Sequence, residues 1–136
     1  SSNEPNSMLL TRYLKAIIPQ FSVAYPIINE VDGSMEFYEE TESLIQNKWG
    51  IQEPVPLNKV LPEQMDLMLV PLLGFDNKGN RVGYGKGYYD KYFDKYAYSN
   101  DKVGISYFDP IPNIQDTDQF DVPLTHCITP WNCYEF

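Results

Sequence analysis

The sequence predicts an α/β fold, a single three-layer domain with a mostly parallel sheet flanked by helices, and three observations carry that expectation. Residues 65–72 (MDLMLVPL) form a nearly continuous apolar run, as befits a strand buried on both faces of a sheet. Strand-like and helix-like stretches alternate along the chain, the pattern of a sheet with helices laid on its faces. The 136 residues, 43% hydrophobic and 21% charged, hold enough apolar area for one core and too little for two.

The elements follow in chain order. Residues 8–18 place Met8, Leu9, Leu14, Ile17 and Ile18 on a helical repeat, with Ser7 as N-cap and Pro19 past the end. Residues 21–28 (FSVAYPII) are β-branched and aromatic and read as a strand ending near an Asp32-Gly33 turn, followed by a short strand at 34–38. Residues 41–49 read as a second helix, stopped by Gly50. The Pro-dotted stretch 52–62 is an ordered connector, and the strand at 65–72 leads into a glycine-rich loop. Residues 88–96 carry Tyr88, Tyr89, Tyr92, Phe93 and Tyr96 at helical spacing, a stripe better suited to core packing than to a cofactor. Strands at 103–108 and 122–128 complete the set. The chain starts almost directly on a helix, whereas this layering usually starts on a strand, a start that a missing N-terminal piece would explain.

Ten basic against nineteen acidic residues give a net charge of −9, which repels a nucleic-acid backbone and argues against that class of partner. No apolar run approaches the about 20 residues that cross a bilayer, and no leader pattern opens the chain, so the expectation is a cytoplasmic protein without a membrane partner. Cys127 and Cys133 lack metal-like spacing, and His126 does not complete a zinc site with them; both read as reduced thiols. His126 and Cys127 point to opposite faces of any strand they share, which argues against a catalytic pair.

The chemistry concentrates in the loop. Gly83, Gly85 and Gly87 stand at alternate positions, allowing positive φ and letting successive backbone N–H groups converge on an anion. The loop enters a helix whose N-terminus adds unpaired donors and a favourable dipole. Arg81 offers a planar fork for phosphate oxygens, Lys86 a mobile point charge, and Asp90 a carboxylate of the kind Mg²⁺ takes beside bound phosphates. The spacing is neither the Walker nor the Rossmann pattern, and a tight glycine turn without ligand is the competing reading.

With its flanks the loop carries a resemblance. The stretch from Val70-Pro71-Leu72-Leu73-Gly74-Phe75-Asp76 through Gly79-Asn80-Arg81-Val82-Gly83-Tyr84-Gly85-Lys86-Gly87-Tyr88-Tyr89-Asp90 resembles the signature of the 5-formyltetrahydrofolate cyclo-ligase family, also called methenyltetrahydrofolate synthetase. Gly50-Ile51-Gln52-Glu53-Pro54 and Gln119-Phe120-Asp121-Val122 resemble further family segments. The whole of residues 1–136 can be laid on the family's middle and C-terminal parts as one domain, without the family's leading basic helix and first strand.

The resemblance implies an enzyme, a ligase that closes 5-formyltetrahydrofolate to 5,10-methenyltetrahydrofolate with ATP and Mg²⁺, releasing ADP and phosphate. It implies Arg81 and Lys86 as catalytic residues and an ATP site of Arg81, Val82, Gly83, Tyr84, Gly85, Lys86, Gly87, Tyr88 and Tyr89. Glu4, Tyr84 and Tyr88 would bind the folate, and Asp90 and Asp121 the metal. Glu4 also suits a plain helix N-terminal acid, and Asp121 a turn between strands. A monomer with reduced folate and ATP as its partners is expected; a non-catalytic folate- or nucleotide-binding homologue is the alternative.

Overall fold

In the computed structural model, which describes residues 5–48, 50 and 52–136, the chain forms two compact units where its length suggested one core. Asn6–Gln64 make one unit, and Met65–Phe136 belong to the other.

The first unit opens with helix α1 (Ser7–Ile17). Its cap lies one residue before the expected Ser7, because the Asn6 side-chain oxygen accepts the Leu9 N–H at 3.1 Å. Strands β1 (Ala24–Ile28) and β2 (Met35–Glu39) form an antiparallel hairpin whose turn holds Gly33 at φ 70°. Alternation along β2 buries Met35 and Phe37. Pro26, which has no N–H to donate, stands on β1, the edge of this sheet.

The helix expected at 41–49 is a hairpin. Strands β3 (Leu44–Gln46) and β4 (Gln52–Pro54) pair antiparallel. Local chemistry explains the difference: the Thr41 hydroxyl donates to the Ser43 carbonyl at 2.7 Å, competing with a helical start. Gly50, at φ 78°, closes a turn through its N–H to the Asn47 carbonyl, and the Asn47 amide donates across to Glu53 at 2.8 Å. Trp49, the expected helix end, lies outside the described residues. Strand β5 (Lys59–Val60) adds to β2, also antiparallel, ahead of a 3-10 turn at Pro62–Gln64.

The second unit begins with β6 (Leu67–Val70), then a two-residue-strand hairpin of β7 (Gly74–Phe75) and β8 (Arg81–Val82). Helix α2 (Tyr88–Tyr96) follows, as expected to the residue, then β9 (Asp101–Ile105), β10 (His126–Ile128) and β11 (Cys133–Glu135). The sheet order is β11-β10-β9-β6, with β6, β9 and β10 parallel and β11 antiparallel. The mostly parallel character expected of the whole chain is thus confined to these three strands and one isolated bridge, Asp76 to Ile111; the other strand pairings of the described residues are antiparallel. Tight turns return the chain without the long crossover a parallel pair needs, and α2 supplies such a crossover between β6 and β9. β6 is less enclosed than its apolar run suggested: Met68 and Val70 are buried, while Leu67 is exposed.

The core of this unit includes Met68, Val70, Leu72, Phe75, Phe93 and Leu124, and Leu72, Leu124 and Cys127 close on Gly104. A Cβ at Gly104 would stand 2.5 Å from Leu72 Cδ2 and 2.8 Å from Leu124 Cδ1, so the strand is glycine there to let two leucines close over it. The aromatic stripe of α2 packs as core, with Tyr92 and Phe93 buried and Phe93 stacked on Tyr98 at 5.6 Å. No helix of the described residues is long and apolar enough to cross a membrane.

Candidate functional site

The site is built on the β7–β8 hairpin, and Asp76 organises that hairpin. Its fully buried carboxylate accepts the Lys78 N–H (2.9 Å) and Asn80 N–H (3.0 Å) at one oxygen, and the Asn80 amide (2.9 Å) and Ile114 N–H (3.1 Å) at the other. Burial pushes this carboxyl upward, but the Asn80 amide and the three backbone donors outweigh it and hold the group below its usual 3.8. Gly79 completes the turn at φ 81° under Leu124 and Phe136. This closure fixes β8, which turns Arg81 inward and leaves Val82 exposed.

Residues 83–87 then form an exposed loop. Gly85 (φ 78°) and Gly87 (φ 65°) occupy the left-handed region that favours glycine, so those two glycines answer to the backbone. Gly83 does not: its φ is ordinary, and a Cβ there would meet nothing within 4 Å. Gly87 is the N-cap of α2 and no side chain caps the helix, so the first N–H groups of α2 open toward the loop. Lys86 is exposed and forms no ion pair among the described residues. Tyr84 is exposed and Tyr88 half-buried.

Arg81, Asp90 and the backbone of Val122 close a ring beneath this loop. Arg81 Nη2 donates to Asp90 Oδ1 at 2.8 Å, and Nη1 donates to the Val122 carbonyl. The Val122 N–H returns to the same Asp90 oxygen at 3.0 Å. The Arg81 side chain is only 7% exposed and stands 5.8 Å from the centre of the Phe93 ring. Asp121, next in the chain to Val122, takes the turn role left open by its sequence: Oδ2 accepts the Asp118 N–H at 2.8 Å, and its own N–H donates to the Asp118 carbonyl. Arg81, Asp90 and the Asp121 segment are therefore brought together, whereas Lys86 stays on the exposed loop. Glu4 lies outside the described residues.

Asp90 and Asp121 each spend one carboxylate oxygen on the protein and keep the other uncommitted among the described residues. No group of three or more His, Cys, Asp or Glu gathers among those residues. Mg²⁺ is commonly held by one or two carboxylates, completed by water and phosphate oxygens.

Sequence reasoning passed over Lys102, which lies 7% exposed with its ammonium 5.8 Å from the centres of both Phe93 and Tyr98. Burial lowers its pKa, with Asp101 opposing and Arg81 adding to the effect. Period two could not have found it, since Lys102, Val103 and Gly104 are buried in succession and β9 has no exposed face at these positions.

The model of the family described as "5-formyltetrahydrofolate cyclo-ligase family" matches residues 5–130. A probable 5-formyltetrahydrofolate cyclo-ligase of Schizosaccharomyces pombe is 48% identical over 109 residues, 70% of this chain and 53% of the relative. The 5-formyltetrahydrofolate cyclo-ligase of Escherichia coli K12 is 29% identical over 102 residues, 73% and 56% of the two chains. The solution structure of the 5,10-methenyltetrahydrofolate synthetase of Aquifex aeolicus superposes with a TM-score of 0.73 at 28% identity, covering 93% of this chain and 64% of that one. The chain thus spans about half the length of the curated relatives it matches.

Proposed function

The chain belongs to the 5-formyltetrahydrofolate cyclo-ligase family, and from that membership we propose that it serves ATP-dependent closure of 5-formyltetrahydrofolate to 5,10-methenyltetrahydrofolate, with release of ADP and phosphate. The observation that carries this reading is the exposed loop from Gly83 to Gly87, which opens onto the N-terminus of α2, where no side chain caps the helix, and presents a Lys86 without an ion pair among the described residues.

The chemistry asks for what that loop offers. A formyl oxygen is a poor leaving group, so it first attacks the γ-phosphate; an O–P bond forms as the bond to ADP breaks. The neighbouring amine then attacks the formyl carbon, a C–N bond forms, phosphate leaves with the oxygen, and the amine proton passes to water. Such transfer depends on positioning and charge neutralisation more than on a strong base. The N–H groups of the loop and of α2 bind the phosphates of ATP along residues 82–89, and Lys86 follows the transferred group as a point charge. Arg81 ties the ends of the loop to Val122 through Asp90. Tyr84 and Tyr88 border the folate, and Glu4 is the acceptor proposed for its pterin. Asp90 and Asp121 would hold Mg²⁺, which when bound supplies neutralisation of the phosphate oxygens. One family model running across both units supports reading residues 1–136 as one functional domain, for which we propose the three-layer arrangement. The same reading makes the protein a cytoplasmic monomer whose partners are reduced folate and ATP.

The test is to mix the protein with ATP, Mg²⁺ and 5-formyltetrahydrofolate and follow the absorbance of the methenyl product. Lys86→Ala is expected to lower turnover by on the order of 10² or more with an unchanged melting temperature. Binding of both ligands by calorimetry without any product would instead make the protein a non-catalytic folate- and nucleotide-binding homologue.

A further inference from the structure

Arginine grips phosphate by presenting its planar fork to the ligand. Arg81 presents no such fork. Its side chain is nearly buried, Nη1 is committed to the Val122 carbonyl, Nη2 to the Asp90 carboxylate, and the Phe93 ring stands 5.8 Å from the guanidinium carbon. Asp90 Oδ1 accepts from both Arg81 and the Val122 N–H, so three groups from three parts of the chain close one ring. Two hydrogen bonds between Asp118 and Asp121 close a turn that ends at this ring.

We infer that Arg81 is a positioning residue: it clamps the Val122 backbone, and with it the neighbouring Asp121 carboxylate, against Asp90 at the start of α2, rather than gripping the ATP phosphates itself. The inference rests on the reading of this region as a site for ATP and Mg²⁺. What it adds is a division of labour between two cations of one loop. Lys86 is free to meet phosphate, whereas Arg81 is spent on setting the spacing between two carboxylates. On this inference the uncommitted oxygens of Asp90 and Asp121 would serve one metal ion together only while Val122 is tied to Asp90. A point charge cannot replace the fork, because two acceptors of different kind, a carbonyl and a carboxylate, must be held at once.

Calorimetric titration with ATP, once with Mg²⁺ and once with a chelator, separates the two roles. In the native protein Mg²⁺ is expected to strengthen ATP binding. Lys86→Met should weaken ATP about tenfold or more under both conditions, as loss of a direct phosphate contact requires. Arg81→Met should leave metal-free ATP affinity within about twofold of native and abolish the Mg²⁺-dependent gain, because the carboxylate spacing is what is lost. Arg81→Lys should behave like Arg81→Met, and it decides the matter if the methionine variant melts too low to titrate. Metal-free affinity falling as far in Arg81→Met as in Lys86→Met, or a Mg²⁺ gain preserved in Arg81→Lys, would overturn the clamp. A native protein that binds no ATP under either condition would sink the proposed function as well, an outcome distinct from a failure of the clamp alone.

Discussion

A carboxylate with no contact to solvent persists only when its oxygens are filled by donors, and Asp76 meets that requirement with four N–H groups. Asp76→Asn replaces one acceptor oxygen with an NH₂ that faces other donors. We expect it to lower stability by about 1–3 kcal/mol, read from the urea midpoint at unchanged m-value. The cysteines differ as sharply. Cys127 is fully buried, and burial pushes its thiol up to about 12, whereas Cys133 is exposed. One thiol, Cys133, is expected to react with a thiol reagent at neutral pH in the native protein, and Cys127 only after denaturant is added. Two fast-reacting thiols would contradict the packing of Cys127 against Gly104. At this scale residue types were legible and partners were not: Arg81, Lys86 and Asp90 stood out in the sequence, but nothing local says that Arg81 already holds Asp90.

Elements separate glycines that serve the backbone from one that does not. At Gly79, Ala would face a left-handed φ and a Cβ 2.8 Å from the Leu124 carbonyl oxygen, so Gly79→Ala should destabilise by about 2 kcal/mol or more. At Gly83 the added methyl meets no protein atom. Gly83→Ala should therefore leave the melting temperature within a degree or two while weakening ATP binding several-fold, if the phosphates lie against that bare backbone. Helix α2 ends on Ala97 at φ 47°, with the Tyr98 N–H reaching back to the Phe93 carbonyl at 3.0 Å. Ala97→Gly relieves that conformation and should raise stability by about 1 kcal/mol in thermal unfolding. Helices α1 and α2 were legible because their periodic apolar residues and end signals act within a few positions. The hairpin at 44–54 was not, because its residues carry too little periodicity to choose between helix and strand, and the choice fell to cross-strand pairing.

For the whole molecule, the shifted groups set how stability depends on pH. Asp76 lies below its unfolded 3.8, so its contribution is complete above that value and is lost as pH falls through the lower folded value. Cys127 and Tyr98 work at the other end: burial raises them from 9.0 and 10.0 to about 12, so the stability they confer is present below 9.0 and drains away as pH rises toward 12. Lys102, lowered from 10.5 by burial, gains stability as pH rises to 10.5 and offsets part of that loss. Urea midpoints are expected to fall between pH about 9 and about 11, and Cys127→Ala should flatten that slope whatever it costs at neutral pH. A slope unchanged in the variant would show that the thiol does not titrate in this way.

What the sequence alone determined is the local grammar: an α/β chain, two helices of which α2 was placed to the residue, a glycine loop shaped for an anion, and the signature that led to the family. Tertiary structure decided the rest. It divided the chain into two compact units, turned most pairings antiparallel, and joined Arg81 to Val122 and Asp90 to Val122 across 41 and 32 positions. Periodicity and capping report on neighbours two to four residues apart, so they identify an arginine and an aspartate beside a loop. Whether those two meet a ligand or each other depends on where a distant strand returns, and that is settled only when the chain closes on itself.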